Sequence, residues 1–204
     1  MIFPTLKFEK ELWGKGYQFV CGLDEVGRGA FAGPVVVGAV VFSPDIILPE
    51  GIADSKLLKP QIRERLSEEI KKSAICWAVG EIDVLEIDKK GIGDATGLAF
   101  GKAVRNLSVK PDFCLIDAFR IKYLEAFNQK PLKDGDKICV SISSASIIAK
   151  VYRDNLMVKL HQKYPQYNFA KHKGYGTLEH RDAIKKYGLC EIHRKSFNLE
   201  KFLS

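Results

Sequence analysis

Cysteine is scarce in this sequence and forms no metal-binding pattern. Cys21, Cys76, Cys114, Cys139 and Cys190 are scattered and odd in number, with no CxxC pair and no Cys/His zinc spacing. A disulfide framework and a zinc finger are therefore both excluded. Four of the five sit beside apolar residues, as in VCGL and FCLI, where a free cysteine packs as a small hydrophobe. That usage fits a reducing cytoplasm, the expected location. Long hydrophobic runs are also absent. The longest apolar stretch, Pro34 to Phe42, has nine residues, against about 20 needed to span a bilayer. Charges interrupt MIFPTLKFEKEL at the N-terminus, so no secretory signal is read there and no membrane partner is expected. The GxxxxGK[ST] loop of a nucleotide-binding ATPase occurs nowhere. No internal repeat, low-complexity tract or Gly/Ser/Pro linker divides the chain.

What is present is ordinary globular composition, 46% hydrophobic and 28% charged over 204 residues, the length of a single domain with a substantial core. Basic residues exceed acidic ones by 32 to 25, a net charge of +7, which favours a polyanionic partner such as nucleic acid. Leu6 to Trp13 reads as an amphipathic helix ended by Gly14 and Gly16. Gln18 to Leu23 reads as a short buried strand, and Val35 to Phe42 (VVVGAVVF) as a central strand covered on both faces. Pro60 opens QIRERLSEEIKKS, with Ile62, Leu66 and Ile70 at i, i+4 and i+8, which predicts a helix. Further strands are expected at Ala74 to Val79, Phe113 to Ile116 and Ile138 to Ile142. Further helices are expected at Ala95 to Leu107, Ser146 to Lys163 and Leu178 to Tyr187, the last stopped by Gly188. The alternation predicts an α/β domain around one mixed five-stranded sheet, with its first two strands adjacent.

The densest chemical signal is Gly22-Leu23-Asp24-Glu25-Val26-Gly27-Arg28-Gly29, followed by AFAGP and the VVV strand. Two adjacent carboxylates ending an apolar strand need compensation if buried; in isolation such a pair merely begins a solvated turn. The flanking glycines shift that balance, because Gly27-Arg28-Gly29 leaves a backbone free to present N–H groups beside a cationic side chain. Asp117 follows FCLI at the end of another expected strand. It is either a turn residue or a second carboxylate brought to Asp24 by the sheet, despite 93 intervening positions (117 − 24). Carboxylates meeting without His or Cys favour a hard cation such as Mg²⁺ or Mn²⁺. Two such ions about 4 Å apart can serve the attacking water and the leaving oxygen of a phosphodiester.

Several blocks, in order, resemble ribonuclease HII. They are GLDEVGRGAFAGPVVVGAVVF, DSKLL at 54–58, LIDAF around Asp117, SSASIIAKVYRD at 143–154, HKGYGT at 172–177 and HRKSF at 193–197. They run from about residue 20 to 197. Only some twenty residues precede the first strand, so type HII is a better match than type HIII with its additional N-terminal domain. The resemblance implies an RNase H-like fold: one catalytic domain over 1–204, with a core at about 18–190, a short N-terminal helix, C-terminal helices and a tail. It also implies a metal-dependent endonuclease that cuts the RNA strand of RNA/DNA hybrids and incises duplex DNA 5′ of an embedded ribonucleotide, leaving 3′-hydroxyl and 5′-phosphate ends. By motif, the metal-binding carboxylates are Asp24, Glu25 and Asp117. Asp136 takes the place of a fourth catalytic carboxylate, with Asp134 its near competitor.

The same resemblance assigns ribose recognition to the backbone of Gly27, Arg28 and Gly29 and to Tyr175, which by its surroundings alone reads as a surface loop residue. Ser55, Lys56, His172 and Lys173 are expected at the phosphate backbone. Lys150 either pairs with Asp154 one turn on or faces a phosphate, and Asp154 is read as structural. His193 and Arg194 are expected to pack the tail onto the domain. The cofactor expected is Mn²⁺ or Mg²⁺, with two ions per site, and the enzyme is expected to act as a monomer. FNLEKFLS at the C-terminus is faintly suggestive of a sliding-clamp-binding peptide. Two positions depart from the family pattern: Ala118, where glycine is usual, and Gly91, where asparagine is common. A transposase- or integrase-type nuclease of the same fold class and a non-catalytic nucleic-acid-binding module are the alternatives.

Overall fold

The computed structural model describes residues 3–203 as a five-stranded sheet packed between helices. β1 (Val20–Val26) and β2 (Val35–Val41) pair antiparallel, from Cys21 opposite Val41 to Val26 opposite Val36. The β-branched run of β2 is buried along its whole length, as a strand covered on both faces must be. β3 (Cys76–Ile82) adds antiparallel to β2, and β4 (Phe113–Asp117) adds parallel to β1. β5 (Asn128–Leu132) lies parallel to β4, giving the order β3-β2-β1-β4-β5. The mixed sheet and the adjacency of the first two strands match expectation. β1 extends to Val26, so Asp24 and Glu25 lie within its last turn of pleat rather than beyond it.

The fifth strand is not where the sequence places it. Helices take up that segment on either side of the extended residue Cys139: Gly135–Ile138 forms α5 and Val140–Lys163 forms the long α6. Every residue of α6 from Val140 to Ala149 is buried, so this segment shows no polar face. A short apolar run of that kind has no period to separate helix from strand. The true fifth strand, NQKPL, is polar and carries Pro131, which an edge strand tolerates because one side of its ladder is unpaired.

The helices follow the expected pattern more closely. α1 (Lys7–Trp13) precedes the sheet, and α2 (Pro60–Ser73) has the predicted bounds, with Leu66 and Ile70 buried and Ile62 turned out at 40% exposure. α3 (Val84–Lys90) was not anticipated; the side chain of Asp83 caps it by accepting the Glu86 N–H at 2.9 Å. α4 (Ile92–Arg105) starts one turn earlier than expected. α7 (Phe169–His172) and α8 (Leu178–Tyr187) complete the set, and the bounds of α8 match the prediction.

α4 covers one sheet face and α6 the other. α6 comes unusually close because β1 and β2 offer glycines beneath it. A Cβ on Gly22 would fall 2.1 Å from the Ser141 carbonyl carbon, and one on Gly38 would fall 2.2 Å from the Ala145 oxygen. The cysteines are free; Cys21, Cys76, Cys114 and Cys139 are buried and Cys190 is half-buried, as expected of small hydrophobes. Among the described residues no helix is long and apolar enough to cross a membrane. The tail folds back: Leu199 is buried, and Phe202 stacks on Phe31 with ring centroids 5.6 Å apart. Ser204, the last residue of the suspected clamp peptide, lies outside the described residues.

Candidate active site

The parallel pairing of β1 with β4 runs through Leu23 opposite Ile116, so the next residues, Asp24 and Asp117, stand side by side at the C-terminal strand ends. Both side chains fall on the pleat face turned to α6, alternating with Leu23 and Ile116, which enter the opposite core. Asp24 is only 5% exposed, and one of its oxygens accepts the Glu25 N–H at 2.8 Å. Burial pushes its carboxyl well above the usual range; Glu25, Asp117 and Asp136 push the same way, and the Ser146 hydroxyl opposes them. Glu25 is raised by burial, with Arg28 opposing. Asp117 is raised by burial and then by Asp136. Four acids from three separate stretches of the sequence thus occupy one electrostatic environment.

Asp136, on α5, is 2% exposed, and its Oδ2 accepts from Lys56 Nζ at 3.2 Å. Its competitor Asp134 lies outside this group, exposed and paired with Lys137 at 2.6 Å. Among the described residues no three acidic, His or Cys side chains already converge on one point as a ready ligand set. Three of the four carboxylates lean on a substitute partner instead: Asp117 on the Gly135 N–H at 2.7 Å, Asp136 on Lys56, and Glu25 towards Arg28 at 3.9 Å. Glu25 Oε2 is buried with no hydrogen-bond partner among the described residues. An all-oxygen, buried, mutually repelling donor set with an orphaned lone pair fits a hard divalent cation.

Asp24 and Glu25 border a cleft of about 680 Å³, lined also by the Gly27-Arg28-Gly29 loop, Ser55, Lys56, Lys150, Lys173 and Tyr175. Asp117 and Asp136 are not part of that lining. The DSK block is an Asx turn in which Asp54 accepts the Lys56 N–H at 2.9 Å. It places Ser55 Oγ 2.9 Å from Ser146 Oγ, and it presents Lys56 to the cleft. Lys150 donates to Asp154 at 2.6 Å, and Arg63 reaches the other oxygen of Asp154 at 3.5 Å. Asp154 therefore neutralises the basic wall rather than joining the acids. Tyr175 is half-buried, its ring centre 5.8 Å from Lys150 Nζ and 5.4 Å from the Arg153 guanidinium.

His172 is not on the cleft. It is buried in a stack with His180, its Nε2 is 2.6 Å from the Tyr167 carbonyl, and its Nδ1 accepts the Gly174 N–H. Both ring nitrogens are committed, so it braces the loop carrying Tyr175 rather than facing a phosphate. His193 closes the same cluster through a 3.0 Å contact with His180, holding the tail as anticipated. Two buried arginines went unread as part of the site. Arg153 donates to the Ala32, Pro34 and Lys173 carbonyls, and Arg194 to those of Gly27, Arg28 and Gly33. Their sequence signal was only their place inside two recognisable blocks. Gly91 has φ 80°, a value glycine takes more readily than asparagine. Ala118 has φ 64°, where glycine would be unstrained.

The family model described as Ribonuclease HII matches residues 21–200. The ribonuclease HII of Caldicellulosiruptor bescii is 48% identical over 198 residues, spanning 97% of this chain and 95% of that protein. That of Syntrophus aciditrophicus is 48% identical over 193 residues, spanning 95% and 90%. The crystal structure of the ribonuclease H2 from Pyrococcus horikoshii superposes with a TM-score of 0.74 at 27% identity, covering 91% of this chain and 99% of that one. The Bst-RNase HIII structure in complex with Mn²⁺ shares the fold at a TM-score of 0.67 and 21% identity, covering 92% of this chain and 70% of that one.

Proposed function

The chain belongs to the ribonuclease HII family, and on that premise we propose that Asp24, Glu25, Asp117 and Asp136 are its catalytic carboxylates. The protein is a hydrolytic endonuclease acting on RNA/DNA hybrids, which disfavours both an integrase-type nuclease and a non-catalytic binding module. One observation carries the residue assignment: Asp24 and Asp117 are neighbours on parallel strand ends, each raised by burial and by acids around it.

The family depends on divalent metal. In this chain Asp24, Glu25 and Asp117 would hold Mg²⁺ or Mn²⁺, two ions per site. Such ions supply Lewis acidity that makes water nucleophilic near neutral pH and offsets charge on a departing 3′-oxygen. Asp136 positions the attacking water, with Lys56 holding that carboxylate in place before substrate arrives. Lys150, Lys173 and Ser55 take the phosphates flanking the scissile one. The N–H groups of the Gly27-Arg28-Gly29 loop bind a single 2′-hydroxyl, which both donates and accepts, while Tyr175 packs on that sugar. Incision then falls 5′ of an embedded ribonucleotide, leaving 3′-hydroxyl and 5′-phosphate ends. The Archaeoglobus fulgidus RNase HII has been determined in complex with PCNA, and a sliding clamp is the partner that fits the C-terminal FNLEKFLS segment.

The test is cleavage of matched duplexes carrying zero, one and several ribonucleotides, in Mg²⁺, in Mn²⁺ and in chelator. The wild type should cut only the ribonucleotide-containing duplexes, and only with metal. Asp24→Asn should abolish cutting while the fold and hybrid binding persist. Full-rate cutting by that variant would overturn the carboxylate assignment.

A further inference from the structure

The loop proposed to sense ribose is not self-supporting. Beneath it lie two fully buried guanidinium groups, Arg153 and Arg194, whose recorded hydrogen bonds all run to main-chain carbonyls rather than to any carboxylate. Arg194 donates from Nη2 to Gly27 at 2.7 Å and from Nη1 to Arg28 at 2.8 Å, and it reaches Gly33 through both Nε and Nη2. A trans peptide holds its C=O and N–H in opposite directions. Pinning the Gly27 carbonyl inward therefore turns the Arg28 N–H outward, and pinning the Arg28 carbonyl turns the Gly29 N–H outward. Neither of these N–H groups has a backbone or side-chain acceptor among the described residues, and both residues line the cleft. Gly27 itself cannot be replaced without meeting the second arginine, since a Cβ there would lie 2.1 Å from Arg153 Nε.

We propose that Arg194 is a positioning residue for ribose selection: by gripping the Gly27 and Arg28 carbonyls it aims the next two amides at the 2′-hydroxyl before substrate arrives. This rests on the reading of the glycine loop given above, and it adds how the loop is set. Arg194 touches no substrate; it acts through the peptide planes. A lysine at 194 keeps the charge, but its single ammonium cannot span three separated carbonyls in the planar geometry of a guanidinium.

The experiment compares binding of a duplex with one ribonucleotide and of its all-deoxy counterpart, in EDTA so that neither is cut. Wild type should prefer the ribonucleotide duplex. Arg194→Lys should lose about tenfold of that preference while its affinity for the all-deoxy duplex stays unchanged, an outcome that mere loosening of the domain would not produce. If the wild type discriminates and R194K discriminates equally, this inference falls and the loop reading stands. If the wild type binds both duplexes alike, the loop reading itself fails and the inference falls with it. Should R194K not fold, the wild-type guanidinium spectrum decides. Separate, slowly exchanging Nη proton resonances in the free protein support the clamp, and a single averaged resonance refutes it.

Discussion

Replacing Ala118 with glycine should stabilise this protein, although it removes a methyl group beside Asp117, a proposed catalytic carboxylate. Ala118 has φ 64°, and the Phe119 N–H closes onto the Asp117 carbonyl at 2.9 Å across it. That is the positive-φ form of the γ-turn, the strained one. An L-residue in the left-handed region costs about 1–2 kcal/mol, which glycine avoids. Against this, glycine adds about 0.4–1 kcal/mol of unfolded-chain entropy. The methyl is exposed, so little packing is lost, and the net gain is about 0.5–1 kcal/mol. For a domain of this size that corresponds to a rise of roughly 1–4 °C in Tm. Urea denaturation and calorimetry of Ala118→Gly and Ala118→Val, both without metal, measure it. Valine should shift stability the other way, because a β-branched residue fits that region worse than alanine. A lower urea midpoint for A118G than for the wild type would show that the turn is not strained there and would remove the argument.

Other expectations follow from the charges. Burial raises the folded-state pKa of Asp24, so its ionisation opposes folding. That contribution is intact below the unfolded value near 4 and is lost as pH rises through the folded one. Stability of the metal-free protein should therefore decline with pH more steeply in the wild type than in D24N; parallel curves in urea would contradict the electrostatic picture. His180 and His193 are both pushed down to about 4 by burial. Their contribution is complete above about 6.5 and is lost as pH falls towards 4. Stability should drop over that interval, and NMR titration should find neither imidazole protonated at pH 6. Tyr175→Ala should lower incision at a lone ribonucleotide by at least tenfold while metal affinity changes little; unaltered incision would make the ring a spectator.

How much of this was legible in the sequence depended on whether the signal was local. The bounds of α2 and α8 could be read because each has an apolar stripe and a local start or stop: Pro60 in one, Gly188 in the other. β2 was legible because VVVGAVV is rich in β-branched residues, which favour a strand, and is apolar on both faces. β5 was not legible, since an edge strand pairs through its backbone and asks little of its side chains. The start of α6 was misread for the opposite reason: burial on every side leaves no polar face to mark a helical turn. At the site, Asp24, Glu25 and Asp117 could be found at strand ends and a fourth acid only through the family resemblance, and which of Asp134 and Asp136 turns inward is set by α5. That turn buries Asp136 and leaves Asp134 on the surface with Lys137. His172 was misplaced because sequence shows that a histidine adjoins a loop, but not that both of its nitrogens are already taken.

The arrangement also explains why Asp24 and Glu25 end the strand that leads directly into the glycine loop. A carboxylate cluster is unfavourable for folding, so it must be carried by backbone that cannot relax away from it. β1 is fixed on one side by β2 and on the other by β4, and Gly22 lets α6 press directly against it. Asp24 consequently cannot swing to solvent to relieve its neighbours. Where β1 ends, the sheet no longer restrains the chain, and there Arg153 and Arg194 take over from the ladder, holding carbonyls that no strand pairs. Rigid support thus passes from backbone hydrogen bonds to buried guanidinium groups at the point where the chain turns from crowding negative charge to the proposed task of presenting amides. A loop held only by its own glycines would sample many conformations. Selection of one hydroxyl by two amides requires their directions to be settled beforehand.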